Sequence, residues 1–177
     1  MAFPGASILK GVGMNVTVVY ESRYGNTARI ARAIAGALEG TEPVRVVEAS
    51  EPTAFNVRPG DLLFVGGPTE GHGVSPTLRC RLDEVPAEKL KNVAVAAFDT
   101  RLNWPAFLAG SAAHGIARIL QQKGGHLVLP PESFLVTGMK EEVHLVEGEI
   151  DRAGTWAVKV HRAFESPATA ATHGSLA

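Results

Sequence analysis

The stretch NVTVVYESRYGNTARIARAIAGAL, residues 15–38, decides how the rest of the chain reads. Its first six residues form a β-branched, apolar run, the mark of a short strand buried on both faces. Residues 22–27 then form a loop around Gly25. After the loop, Ile30, Ile34 and Leu38 recur every fourth residue with alanines between them, which lays one apolar stripe along a helix. Gly40 is a natural stop for it. A buried strand passing through a short glycine loop into a helix begins a strand–helix–strand unit. The helix N-terminus ends that loop with free N–H groups and the positive end of the helix dipole, a ready site for an anion.

Outward from this unit the alternation repeats. Residues 43–48, 61–66 and 92–98 predict three more strands. Residues 126–129 and 133–137 predict a fifth, interrupted near Pro130 and Pro131. Residues 76–85, 111–123 and 147–164 predict helices, with Pro76 in the first turn of one and Gly124 and Gly125 closing another. Strands that alternate with helices, and are apolar rather than half polar, specify a parallel sheet covered on both faces. The predicted fold class is α/β, a doubly wound five-stranded parallel sheet with helices on both faces. Ligands of such sheets sit beyond the carboxyl ends of the strands. Three loops that follow apolar strands, residues 21–27, 67–76 and 99–110, are therefore where function is expected.

The chain of 177 residues suits one domain. We expect it to span residues 14–165, between an N-terminal extension, residues 1–13, and a small, polar, aperiodic tail, residues 166–177. Hydrophobic residues make up 45% and charged residues 20%, which excludes a disordered or fibrous chain. The net charge of −1 gives no basic surface for nucleic acid. No apolar run approaches the ~18 residues of a membrane span, and the N-terminus lacks the charged and apolar regions of a signal peptide. The expected location is the cytoplasm. Cys80 alone excludes an internal disulfide and is expected to be a small core residue. His114, His126, His144 and His161 lie far apart and give no ligand set, so no metal site is expected. No nucleophile–base arrangement is readable either, and no catalytic residue is assigned.

The first loop offers neutral donors, Ser22, Asn26 and Thr27, at the helix start, with Arg23 and Tyr24 between them. It lacks the Gly-x-x-x-x-Gly-Lys-Ser/Thr and Gly-x-Gly-x-x-Gly patterns of nucleotide triphosphate and dinucleotide sites. The plain alternative is a capped helix, with Asn26 or Thr27 as the cap and Gly25 turning the chain. The second loop reads Gly66-Gly67-Pro68-Thr69-Glu70-Gly71-His72-Gly73, whose glycines let the backbone approach a flat group. The third reads Asp99-Thr100-Arg101-Leu102-Asn103-Trp104. Trp104 either stacks on a flat ligand or packs under the loop beside Pro105 and Phe107. Asp99 either bonds a ligand or pairs with Arg101 at the surface.

Residues 18–35, VVYESRYGNTARIARAIA, resemble the phosphate-binding loop of flavodoxins and related FMN proteins, in which Ser/Thr-x-Thr-Gly-x-Thr follows the first strand. The order of strands and loops over residues 14–164 is similar to a short-chain flavodoxin, and the resemblance itself carries the placement of FMN at the switch point. It implies that Ser22, Arg23, Tyr24, Gly25, Asn26 and Thr27 hold the phosphate of FMN. It further implies that Pro68, Thr69, Glu70, Gly71 and His72 flank the flavin on one side and Asp99, Thr100, Arg101 and Trp104 on the other. Tyr24 stands where the family has Thr, and the second loop carries no aromatic side chain. The implied function is electron transfer through non-covalently bound FMN, with redox partner proteins as donor and acceptor. Two alternatives are an FMN-dependent oxidoreductase acting on a quinone or porphyrinogen-like substrate, and a flavodoxin-fold binding or regulatory module without flavin. The near-zero net charge bears on the first choice, because a carrier steers its partners with a strongly charged face.

Overall fold

A computed structural model describes residues 13–166. The expected extension and tail, apart from Gly13 and Ser166, lie outside the described residues. The chain alternates β1 (Val16–Tyr20), α1 (Asn26–Leu38), β2 (Val44–Glu48), β3 (Leu62–Glu70), β4 (Gly73–Val74), α2 (Pro76–Asp83), β5 (Ala94–Leu102), α3 (Ala106–Ala109), α4 (Ala112–Gln122), β6 (His126–Leu127), β7 (Glu132–Thr137), β8 (His144–Leu145) and α5 (Glu149–Glu165). A short 3₁₀ turn, Lys140–Glu142, lies between β7 and β8. The sheet runs β2-β1-β3-β5-β7-β8. Its core pairs are parallel: β1 with β2 and β3, β3 with β5, and β5 with both β6 and β7. This is an α/β sheet of the flavodoxin-like kind.

The interrupted fifth strand is two pieces on one edge of β5. β6 pairs at Ala94 and Val95, β7 from Phe98 to Leu102, and Pro130 and Pro131 fall between them. Proline has no N–H for the ladder, so the break falls there. The expectation of five strands is corrected upward. Two short antiparallel strands are added, β4 folding back on β3 and β8 on β7. Turns close both, and a two-residue strand carries too little periodicity to be read from sequence.

Apolar runs become strands with two buried faces. Val16, Val18, Leu62, Phe64, Ala96 and Phe98 point towards α1 and α5, where Ile30, Ile34, Leu38, Trp156 and Val160 meet them. Val19, Leu63, Val65, Val95 and Ala97 point the other way, onto Leu78 and Leu82 of α2 and Ile116 and Leu120 of α4. Around Trp156 the rings of Phe64, Phe98 and Phe134 stand edge-on, with centroids 5.6, 6.2 and 5.9 Å from the indole. Edge-to-face pairs add about 0.5–1.5 kcal/mol each beyond their buried area.

Arg152 of α5 fastens β7 to this core. Its guanidinium lies 4.6 Å from the centre of the Phe134 ring and bonds Glu132, Glu149 and the Ser133 carbonyl. Burial alone would raise the Glu149 carboxyl. The Arg152 hydrogen bond and the Leu135 amide outweigh it and hold the group below the usual carboxylate value. Cys80 is exposed, not a core residue. It sits on the outer face of α2, whose inward positions are Leu78 and Leu82.

Candidate functional site

β1 and β3 are neighbours in the sheet, but the chain leaves them in opposite directions. From β1 the chain passes to one edge of the sheet through α1, and β3 returns on the other side of β1. Such a reversal opens a crevice at the carboxyl ends of the strands. A cavity of about 440 Å³ lies there. Clefts of about 370 and 430 Å³ lie elsewhere, so position rather than size distinguishes this one.

The first wall is the loop between β1 and α1. Gly25 occupies the cap position of α1 at φ 86°, a left-handed conformation that glycine takes without strain. Neither Asn26 nor Thr27 caps the helix; both are its buried first residues. Ser22 Oγ reaches round to accept the Ala28 N–H at 3.2 Å. Among the described residues no acceptor meets the N–H groups of Gly25, Asn26 and Thr27, and the Ser22 hydroxyl donates to none. Asn26 spends its side-chain amide on the Val143 carbonyl at 2.9 Å. Thr27 and Thr100 hydroxyls meet at 2.8 Å, so one proton of the two remains to donate elsewhere. Arg23 and Tyr24 line the opening, the guanidinium 5.5 Å from the tyrosine ring centre. Arg23 also lies 3.4 Å from Glu70 across the mouth.

The second and third walls are strand extensions rather than loops. β3 continues to Glu70 and β5 to Leu102, because the backbones of Gly67 and Pro68 stay paired with Asp99 and Thr100. Pro68, Thr69, Glu70, Thr100, Arg101 and Trp104 line the cavity. Gly71, His72 and Asp99 do not border it. His72 is exposed at φ 68° on the β3–β4 turn. A side chain at Gly110, where φ is 71°, would meet the His72 Cα at 2.5 Å, so glycine lets that turn close on the start of α4.

Asp99 is not the surface partner of Arg101; it is fully buried. Its Oδ1 is buried with no hydrogen-bond partner among the described residues. Its Oδ2 accepts from the Thr69 hydroxyl at 3.1 Å, the Ser111 hydroxyl at 2.7 Å and the Ala113 N–H at 2.8 Å. A carboxylate at the N-terminus of α4 satisfies its open amides and its dipole. Thr69 is held from behind by the same knot, since its Oγ1 also accepts the Ala112 N–H at 2.9 Å. Arg101 instead bonds the Trp104 carbonyl at 3.1 Å and the Leu102 carbonyl at 3.3 Å, bending the chain so that Trp104 projects. Trp104 is 57% exposed at the rim and is not packed beneath its loop.

The fourth wall was absent from the sequence reading. Val136, Gly138, Met139, Lys140 and Val143 complete the cavity. They follow the carboxyl end of the last parallel strand, and the rule that selected the other loops would have selected this one. Met139 is exposed beside the opening, and Tyr24, Trp104, Phe107 and Leu108 are exposed on the segments bordering it. The large exposed apolar side chains of the described residues thus gather here, Val46 excepted.

Behind the first wall Glu21 receives the Ser75 hydroxyl at 2.6 Å, while Ser75 caps α2 by accepting the Leu78 N–H. Burial pushes the Glu21 carboxyl above the usual 4.5, against the Ser75 bond, and the charges of Glu70 and Glu48 add to it. A raised value means that ionised Glu21 costs stability above its folded-state value, a cost that disappears below the unfolded value. Glu21→Gln keeps an acceptor for Ser75. Its melting temperature is expected to equal or exceed that of the wild type at neutral pH, and the advantage should vanish as pH falls below about 4.5. A thermal melt series over pH checks this; a variant less stable at neutral pH than at acid pH, relative to the wild type, contradicts it.

Residues 17–103 match the family model of the flavodoxin domain. The chain is flavodoxin-like in fold. A solved flavodoxin from the domain Archaea superposes with a TM-score of 0.69 at 20% identity, over 86% of this chain and all of that one. Flavodoxin 2 from Bacillus cereus gives 0.68 at 20% identity, over 84% of this chain and 98% of that one. The flavodiiron protein from Giardia intestinalis gives 0.67 at 21% identity, over 85% of this chain but 36% of its own length. At these identities the likeness is one of fold. No curated protein sequence matches the chain. The family match ends at Asn103, so the flavodoxin-like pattern of the sequence covers the first three walls of the cavity up to Trp104 and stops before the fourth.

Proposed function

We propose that this protein binds FMN non-covalently in the cavity at the carboxyl ends of β1, β3 and β5 and transfers electrons through it. The observation that carries the reading is the β1–α1 loop. It turns the open N–H groups of Gly25, Asn26 and Thr27 and the Ser22 hydroxyl to one corner, at the positive end of α1. That donor set suits a phosphate dianion. The one carboxylate that borders this corner, Glu70, is engaged by Arg23. Donors with no protein acceptor, and a cavity beside them walled by Thr69, Trp104 and Met139, fit FMN.

Bound there, FMN supplies reversible electron transfer. The chain's own residues do the rest. Asp99 holds Thr69 and α4 in place behind the cavity. Arg101 sets the Trp104 loop and keeps a positive charge at the same wall. Trp104, Tyr24 and Met139 supply apolar surface at the opening. Redox partner proteins meet the protein at that opening, in a soluble, cytoplasmic setting. Among the described residues no helix is long and apolar enough to cross a membrane.

The apolar rim also favours a second reading, an FMN-dependent oxidoreductase whose quinone or porphyrinogen-like substrate lies over the same opening. Reduction of the FMN-loaded protein separates them. After gel filtration with FMN the protein is expected to keep flavin absorbance. A carrier exchanges electrons with a protein reductase at a rate that falls with ionic strength. A salt-independent rate that rises with added quinone selects the enzyme. A protein that retains no flavin overturns both and leaves a flavodoxin-fold binding module.

A further inference from the structure

We propose that Glu42, His161 and Glu165 form a binding site for a divalent transition metal of the zinc class, at the end of the molecule opposite the cavity. Sequence spacing joins only His161 and Glu165 on α5; Glu42 lies far away, before β2. The fold brings them together: one ligand atom from each lies within 4.8 Å of the others. His161 and Glu165 are four apart on α5 and so share a face. Glu42 comes from the turn that leads into β2, at the amino ends of the strands.

His161 is the observation that points to a ligand. It is 5% exposed, and its Nε2 is buried with no hydrogen-bond partner. Buried polar atoms are rarely left so. Nε2 faces Glu42 Oε1 at 3.5 Å, and Nδ1 faces Glu165 Oε2 at 3.3 Å. A charged N–H···O bond would close to about 2.7–2.9 Å. Two ligands sharing one tetrahedral cation, each about 2.0–2.1 Å from it, stand roughly 3.4 Å apart. The Nε2–Glu42 separation matches the second arrangement, whereas Glu165 lies against the other ring nitrogen and must turn to reach an ion held on Nε2. One imidazole and two carboxylates form a nitrogen–oxygen set suited to zinc. Glu42 sits tight against the imidazole, while the more exposed Glu165 can turn to close the site, with water in the remaining position. The metal would clamp the last turn of α5 to the α1–β2 turn.

The test needs no flavin and is independent of the proposed function. The full chain, stripped with a chelator and desalted, is titrated with zinc chloride against a colorimetric zinc indicator at about pH 7.5. One zinc per chain is expected, with a raised melting temperature. Cobalt chloride should give the visible absorption of tetrahedral cobalt at the same stoichiometry. Glu42→Gln and Glu165→Gln should each weaken zinc by at least about tenfold. Glu165 is exposed, so its variant should fold, and a metal-free melt checks that for both. No binding at one equivalent overturns the proposal. Unchanged affinity in the double variant also overturns it, because the metal then sits on other histidines.

Discussion

Gly66→Ala lowers the melting temperature by about 10 °C, the largest effect we expect from a single methyl group in this chain. Gly66 pairs with Tyr20 of β1 and Phe98 of β5 in the middle of the sheet. A Cβ there would collide with one edge of the Phe98 ring. That ring cannot step aside, being fully buried and edge-on to Phe134 and Trp156 with centroids 6.2 Å from each. Overpacking a tight core costs about 1–3 kcal/mol, and a clash against an immobile ring belongs at the upper end. Differential scanning calorimetry measures it. The double variant Gly66→Ala with Phe98→Leu should be more stable than the two single losses added together, because Leu vacates the ring's place. Additive losses would show that the glycine is needed for another reason.

Ser22→Ala combined with Thr27→Val weakens FMN by about a hundredfold and leaves riboflavin affinity nearly unchanged. Each hydroxyl can give a charge-assisted hydrogen bond to phosphate, worth about 1.5–3 kcal/mol. Riboflavin has no phosphate and loses neither. Valine keeps the shape of buried Thr27 and releases Thr100, so the fold should survive. Asn26 is the poorer choice for this test, since its side chain already serves the Val143 carbonyl and its loss would loosen the fourth wall. Equal losses for both flavins would mean that the variant disturbs the cavity rather than the phosphate corner.

The sheet was legible because its strands are buried on both faces. Val16, Val18 and Val19 leave no polar alternation, and only a parallel sheet between helices accounts for that. The reach of β3 and β5 beyond Gly66 and Phe98 was not legible. Glycine, proline and threonine read as loop, and pairing with the neighbouring strand, which is a tertiary fact, holds them extended. Position was readable at the site where role was not. Asp99 stood where a cavity residue belongs, yet its Oδ2 turns inward to α4, a choice set by Ser111 and Ala113 further along the chain. The 138–143 segment carries no motif. Its place at the cavity comes from the β7–β8 hairpin and the Asn26 bond to Val143. The meeting of His161 with Glu42 likewise depends on α5 packing beside α1.

The central claim is that the β1–α1 loop holds a phosphate. Fluorescence titration of the purified protein with FMN and with riboflavin tests it most directly. The account predicts FMN binding at least about a hundredfold tighter than riboflavin, a difference of roughly 2.7 kcal/mol from the phosphate alone. Equal affinities for the two flavins would contradict it.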